Sequence, residues 1–142
     1  MSKPARHFRD PQSAAKLDCD ALLLAAAEAG PLPAFLEGLA IRTELPAATP
    51  PGRLLVVRSG PWVEYVPPLT AVARIRCVAW SLDADEAWDI ASWFHASLLA
   101  YPGDDDVVGY RYELGPERGK DSDYDTPIAA FTVRARMRPA IL

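Results

Sequence analysis

Between Ala71 and Tyr101 the hydrophobic period of this chain changes once, from two to nearly four, and that change constrains the fold more than any other feature. Residues 71–80 are rich in β-branched and aromatic side chains, and alternation divides them between two faces. Val72, Arg74, Arg76, Val78 and Trp80 fall on one face, and Ala73, Ile75, Cys77 and Ala79 on the other, which is the signature of a strand. Asp83 with Glu86 three positions on has the D-x-x-E form of a capping box, so a helix is predicted over 84–101. Its apolar stripe, Ala87, Ile90, Ala91, Phe94, Leu98 and Tyr101, has the spacing of a helix packed on a sheet.

Proline and glycine mark the remaining boundaries. There are 14 prolines in 142 residues, roughly twice the average share, and they fall mainly between periodic segments. Residues 1–12 are polar, contain Pro4 and Pro11 and show no hydrophobic period, so they are expected to form a flexible arm ahead of a single domain over 13–142. Ser13 is expected to cap a first helix over 14–29, stopped by Gly30 and Pro31, with Leu17, Ala21, Leu24 and Ala25 on its inner face. Pro33 and Gly38 bracket one further helical turn. Strands are expected over 41–45, 53–58 and 62–66, with a loop over 46–52 and a tight turn at Gly60-Pro61 that makes the last two a hairpin. After Pro102-Gly103 come two more strands, 107–114 and 128–138, separated by a charged loop over 115–127. Helix, strands, helix and two strands make an α+β domain.

A chain of this length builds one core. Half its residues are hydrophobic and 24% are charged, as in ordinary folded domains. The longest apolar run, residues 21–27, is far short of the roughly 20 residues that span a bilayer, and no signal segment is recognisable, so a cytoplasmic protein without membrane contact is expected. Cys19 and Cys77 lack a CxxC partner or neighbouring histidines and read as buried free thiols. A net charge of −4 provides no overall attraction to nucleic acid, although a local basic face remains open.

Several stretches resemble chemical motifs and fail on count. Between Gly115 and Gly119 lie three residues where a P-loop needs four, and Asp121 follows Lys120 where a Ser or Thr should reach magnesium. Asp121, Asp123 and Asp125 begin like a calcium-binding loop, but Thr126 and Thr132 occupy the positions that need glycine and glutamate. The run Asp104-Asp105-Asp106 reads as a solvated loop. His7 lies in the arm and His95 is expected on the outer side of the second helix; no nucleophile has a local base. Neither a catalytic site nor a cofactor or metal site is therefore expected. Trp88 and Trp93 lie off the central stripe of their helix and favour an interface over a ligand site by about two to one. The final strand puts Thr132, Arg134, Arg136 and Arg138 on one face and Phe131, Val133, Ala135 and Met137 on the other. If it neighbours the strand carrying Arg74 and Arg76, five arginines form a patch. That patch is either a solvent face balanced by acids such as Glu64 or Glu113, or a contact surface, with equal weight.

The order of elements is similar to that of the tail terminator family of long-tailed bacteriophages. The resemblance runs from about Asp18 to Arg138. Its parts are Leu22-Leu23-Leu24, then Arg53-Leu54-Leu55-Val56-Val57-Arg58, then the stretch from Val72 to Val78 leading into Asp85-Glu86-Ala87-Trp88. Gly115-Pro116, Asp121 and the run from Pro127 to Arg136 complete it. The resemblance implies a mixed, mostly antiparallel sheet with two main helices on one side. It also implies a homo-oligomer, a hexameric ring bound to the major tail tube protein and to a head-completion (stopper) protein, through which DNA passes without sequence-specific binding. Such a protein belongs to the virion. The arm before Ser13 lies outside the shared pattern. Two other readings compete: a neighbouring neck, head-closure or minor capsid protein, and a small-molecule-binding domain or enzyme, which requires a pocket with convergent polar groups.

Overall fold

The computed structural model describes residues 8–45, 52–66 and 70–139. The chain forms α1 (Pro11–Ala29), a 3-10 turn (Ala34–Leu36), β1 (Ala40–Arg42), β2 (Leu54–Val66), β3 (Thr70–Trp80), α2 (Ala84–Leu99), β4 (Val107–Lys120) and β5 (Pro127–Met137). The five strands make one sheet in the order β1-β2-β3-β5-β4. β1 runs parallel to β2 and the other pairings are antiparallel. The protein is a single α+β domain with a mixed sheet. Both helices cover the same face, because the buried residues of α1 and α2 share one core cluster with Ile75, Cys77, Phe131, Val133 and Ala135.

α2 follows its predicted stripe. Ala87, Ile90, Ala91, Phe94 and Leu98 are fully buried. Its cap differs in detail: the Asp83 carboxylate accepts from Asp85 N at 2.9 Å, while Glu86 accepts from Ser81 Oγ at 2.8 Å and Ser81 Oγ accepts from Asp83 N at 3.1 Å. Ser81 thus stands between the two acids of the expected capping box.

α1 departs from expectation in three respects. It begins at Pro11, with Asp10 as its cap accepting from Ser13 N and Ser13 Oγ; proline suits the first helical position because its missing N–H has no intrahelical acceptor there. The expected arm therefore ends before Phe8, which is buried, bridges to Pro139 and packs on Trp62 and Tyr65. Residues 1–7 of that arm lie outside the described residues. The buried face is Ala14, Ala15, Asp18 and Cys19, with Leu22 and Leu23 packed at its margin. Leu17, Ala21, Leu24 and Ala25, the expected inner face, point outward. This helix is apolar around most of its circumference near residues 21–27, so period alone defines no single face.

Two loop assignments are also corrected. Gly60-Pro61 is not a hairpin turn: β2 runs straight through it, with both halves paired to β3 and register shifts between Ser59 and Trp62 and between Trp62 and Glu64. A bulge accommodates Pro61, which has no ladder N–H to offer. The hairpin joins β2 to β3 through residues 67–69, which lie outside the described residues, as does most of the expected loop 46–52. In the second case the charged loop 115–127 is mostly strand. β4 continues to Lys120 through three register shifts, and the connection shrinks to residues 121–126. Gly115 sits at φ 88°, where a Cβ would lie 2.7 Å from the Ala130 carbonyl oxygen.

Candidate functional site

β3 and β5 are neighbours, so the two arginine-bearing strands lie side by side. The register sets Arg74 directly opposite Arg134, Arg76 opposite Thr132 and Arg136 opposite Val72. β2 adds Arg58 opposite Arg76, and β4 adds Arg111 opposite Arg134. All these side chains occupy the face of the sheet turned away from the helices. Like charges directly opposite each other destabilise a strand pair, and Glu113 relieves this. Its carboxylate accepts from Arg74 Nε at 2.8 Å and from Arg134 Nε at 2.6 Å. The bond from Arg134, then that from Arg74, hold the Glu113 carboxyl below its ordinary value against the opposing effect of burial. Glu64, the other expected counter-ion, forms no such pair among the described residues.

Arg138 leaves the patch. Its Nε donates to the Asp104 carbonyl and its backbone N to that of Asp106, both at 2.8 Å, tying the end of β5 to the loop before β4. Of the five arginines expected together, Arg74, Arg76, Arg134 and Arg136 share the open face. Arg58 and Arg111 join them and were not singled out from sequence, because only the strand register brings them there. Among the described residues, Arg58, Arg76, Arg111 and Arg136 have no ion pair.

The same face is apolar at its other end. Leu54, Val56 and Trp80 form a second, smaller cluster with Leu45, Val78, Tyr124 and Ile128 around them. Tyr124 packs edge-on against Trp80 at 6.1 Å between ring centres. A groove opens there, with a floor of Leu45, Val56, Val78 and Trp80 and with Arg58 and Arg76 along its rim.

The two tryptophans expected at an interface are half-buried and engaged within the chain. The Arg118 guanidinium lies 5.1 Å from the centre of the Trp88 ring and also pairs with Asp85. Trp93 packs edge-on against Phe94 at 4.8 Å. His95 is not on the outer side of α2: its ring packs on Phe131 at 5.0 Å and Tyr112 at 5.5 Å, and its Nε2 is buried without a hydrogen-bond partner. Burial lowers its affinity for a proton.

One polar cluster escaped the sequence reading. Asp18, only 3% exposed, accepts a hydrogen bond from the Tyr110 hydroxyl and shares another with Asp104. Asp104 in turn accepts from Tyr101 at 3.0 Å and from the backbone N of Asp106 and Val107 at 2.9 Å. Burial, with the Asp104 carboxyl beside it, pushes Asp18 up to about 7. Asp104 stays below its ordinary value, its bonds with Asp18 and the two backbone N–H groups outweighing the effect of burial. Burial raises both tyrosines. The pair links α1 to β4 and to the loop before it, with Asp18 buried and Asp104 partly exposed at its outer end, so it acts as a latch between these elements. Asp121, of the calcium-like run, caps the β4–β5 turn by accepting from Asp123 N at 2.8 Å. Cys19 and Cys77 are both buried free thiols, and their mutual contact, followed by burial, raises Cys19. Among the described residues no helix is long and apolar enough to cross a membrane.

No protein-family model matches this chain, and no curated protein sequence matches it.

Proposed function

We propose that this chain is a non-enzymatic structural subunit of a tailed-bacteriophage particle. Copies of it form a ring, six-fold by the family resemblance, that ends polymerisation of the tail tube and joins the tail to the head-completion protein around the DNA channel. The observation that carries the reading is the uncovered sheet face, with its row of arginines and its adjoining apolar groove. The groove is small and its floor is largely buried, but it is apolar, it is rimmed by the Arg58 and Arg76 guanidinium groups, and it lies on the sheet face that the helices leave alone, which suits a contact with another protein. The single carboxylate of Glu113 offsets only one of the two charges of Arg74 and Arg134, and Arg58, Arg76, Arg111 and Arg136 have no ion pair among the described residues, so most of the positive charge stays available at that surface. In a ring, identical subunits meet through two different surfaces, so such a face has a partner on the next copy.

The open arginines serve protein contacts more than DNA. A dense arginine lining would hold phosphates and slow the passage of DNA in a salt-dependent way. The test is assembly without this chain. Tails that overrun their normal length and fail to join heads are the expected result, whereas normal tails on filled heads would overturn the reading. Heads left open with tails of normal length would instead indicate a head-closure protein.

A further inference from the structure

We infer that copies of this chain join head to tail, the outward stripe of α1 in one copy seating in the groove on the open sheet face of the next. The inference rests on the self-association reading above and names the two surfaces that carry it.

The stripe is Leu17, Ala21, Leu24 and Glu28, spaced four, three and four residues apart and so aligned along one side of α1, with Ala25 beside them. Leu17 is 46% exposed and Leu24 61%, on a helix whose opposite side is already committed to the core. Nothing else in the described chain covers this stripe. The groove lies behind the same strands: α1 packs on the inner side of β2 and β3, and Val56, Val78 and Trp80 line the groove on their outer side. A copy displaced across the thickness of the sheet therefore brings a stripe over a groove without turning the molecule round.

Charge decides for a second copy over an unrelated partner. The last turn of α1 contains no basic residue and ends in the negative pole of the helix dipole, to which Glu28 adds a full charge. No cation within the described chain offsets either. Arg58 and Arg76 on the groove rim are the reverse case, two guanidinium groups without an acid. Stripe and groove each supply what the other lacks: leucines for an apolar floor, an anionic helix end for a cationic rim. Strand addition at β4 is a poorer route, because three register shifts and Pro116 break the ladder that an added strand would need. A contact between two different surfaces repeats from copy to copy and closes into a ring when the rotation allows.

The experiment uses three forms of the full chain, sized by analytical ultracentrifugation: the parent, Arg76→Glu, and Glu28→Arg. Each single variant places like charges together at every contact, and its dissociation constant is expected to rise on the order of tenfold or more. An equimolar mixture of the two variants restores opposite charges at both kinds of contact, so assemblies of alternating copies are expected to return. Leu24→Asp, at an exposed position that leaves the thermal melting curve unchanged, is expected to abolish assembly and not to be rescued by mixing. If the parent assembles and all three variants assemble equally well, the stripe and groove are not the contact, although self-association stands. Dissociated single variants that stay dissociated on mixing overturn the pairing of Glu28 with Arg76. A parent that is monomeric at every concentration overturns the self-association reading as well.

Discussion

The two faces of the sheet are built from the same strands and have opposite characters. On the inner face Ala73, Ile75, Cys77, Val133 and Ala135 are entirely buried beneath the helices, and the carboxyl of Asp18 is buried in the same layer against Tyr110. On the outer face, residues alternating with these carry Arg74, Arg76, Arg134 and Arg136, and their neighbours include an apolar groove. Strand geometry makes this separation possible, because successive side chains point to opposite sides and each set can change without touching the other. The inner face holds the fold; the outer face is free to meet a partner.

The sharpest way to break that comparison is to damage each face and compare losses. Phe94→Ala removes a fully buried ring from the inner layer and should lower unfolding free energy by about 3–5 kcal/mol, measured by urea denaturation. A loss below about 1 kcal/mol would mean that α2 is not held by this stripe.

The Asp18 latch sharpens the comparison through pH. Because burial raises Asp18 from 3.8 to about 7, the folded chain holds a proton that the unfolded chain releases. The stabilisation is fully present below the unfolded value and is lost as pH rises through about 7. Asp104 acts in the opposite sense, since its lowered value makes its contribution fade only in acid. Because His95, lowered from 6.5 by burial, adds stability as pH rises towards that value, the midpoint of the parent should fall between pH 5 and pH 8 relative to that of Asp18→Asn, which keeps only the His95 rise. Parallel curves for the two proteins would remove Asp18 from the account.

Smaller effects are expected on the outer face. Glu113→Gln leaves Arg74 and Arg134 facing each other without a shared acid, but both arginines are more than 40% exposed. Solvent screening should hold the cost to about 1 kcal/mol, shrinking further in high salt. Arg58→Glu, at an exposed position on the groove rim without an ion pair among the described residues, should change stability by less than about 0.5 kcal/mol while weakening self-association in sedimentation runs. A large loss of stability there, with assembly intact, would reverse the roles assigned to the two faces.

Much of the architecture was legible in the chain itself. α2 has one apolar stripe and a clear start, and β3 has strand-forming residues with its two arginines confined to one face, so both could be placed from the sequence. α1 could not be oriented, since leucines and alanines surround it near residues 21–27 and its burial is decided by Cys77 and Tyr110, which are distant in sequence. The Gly60-Pro61 and Gly115-Pro116 pairs carry turn chemistry, yet long partner strands absorb both as irregularities. The arginine face was legible as two strands but not as one surface, because strand adjacency and the counter-ion Glu113 depend on register. The Asp18–Asp104 latch joins residues 86 positions apart and left no local signal.

The central claim is that the open sheet face joins copies of this chain, and native mass spectrometry of the full purified chain over a range of concentrations tests it most directly. The account predicts one closed assembly of uniform copy number that gains population as concentration rises. A single monomer peak at every concentration would contradict it.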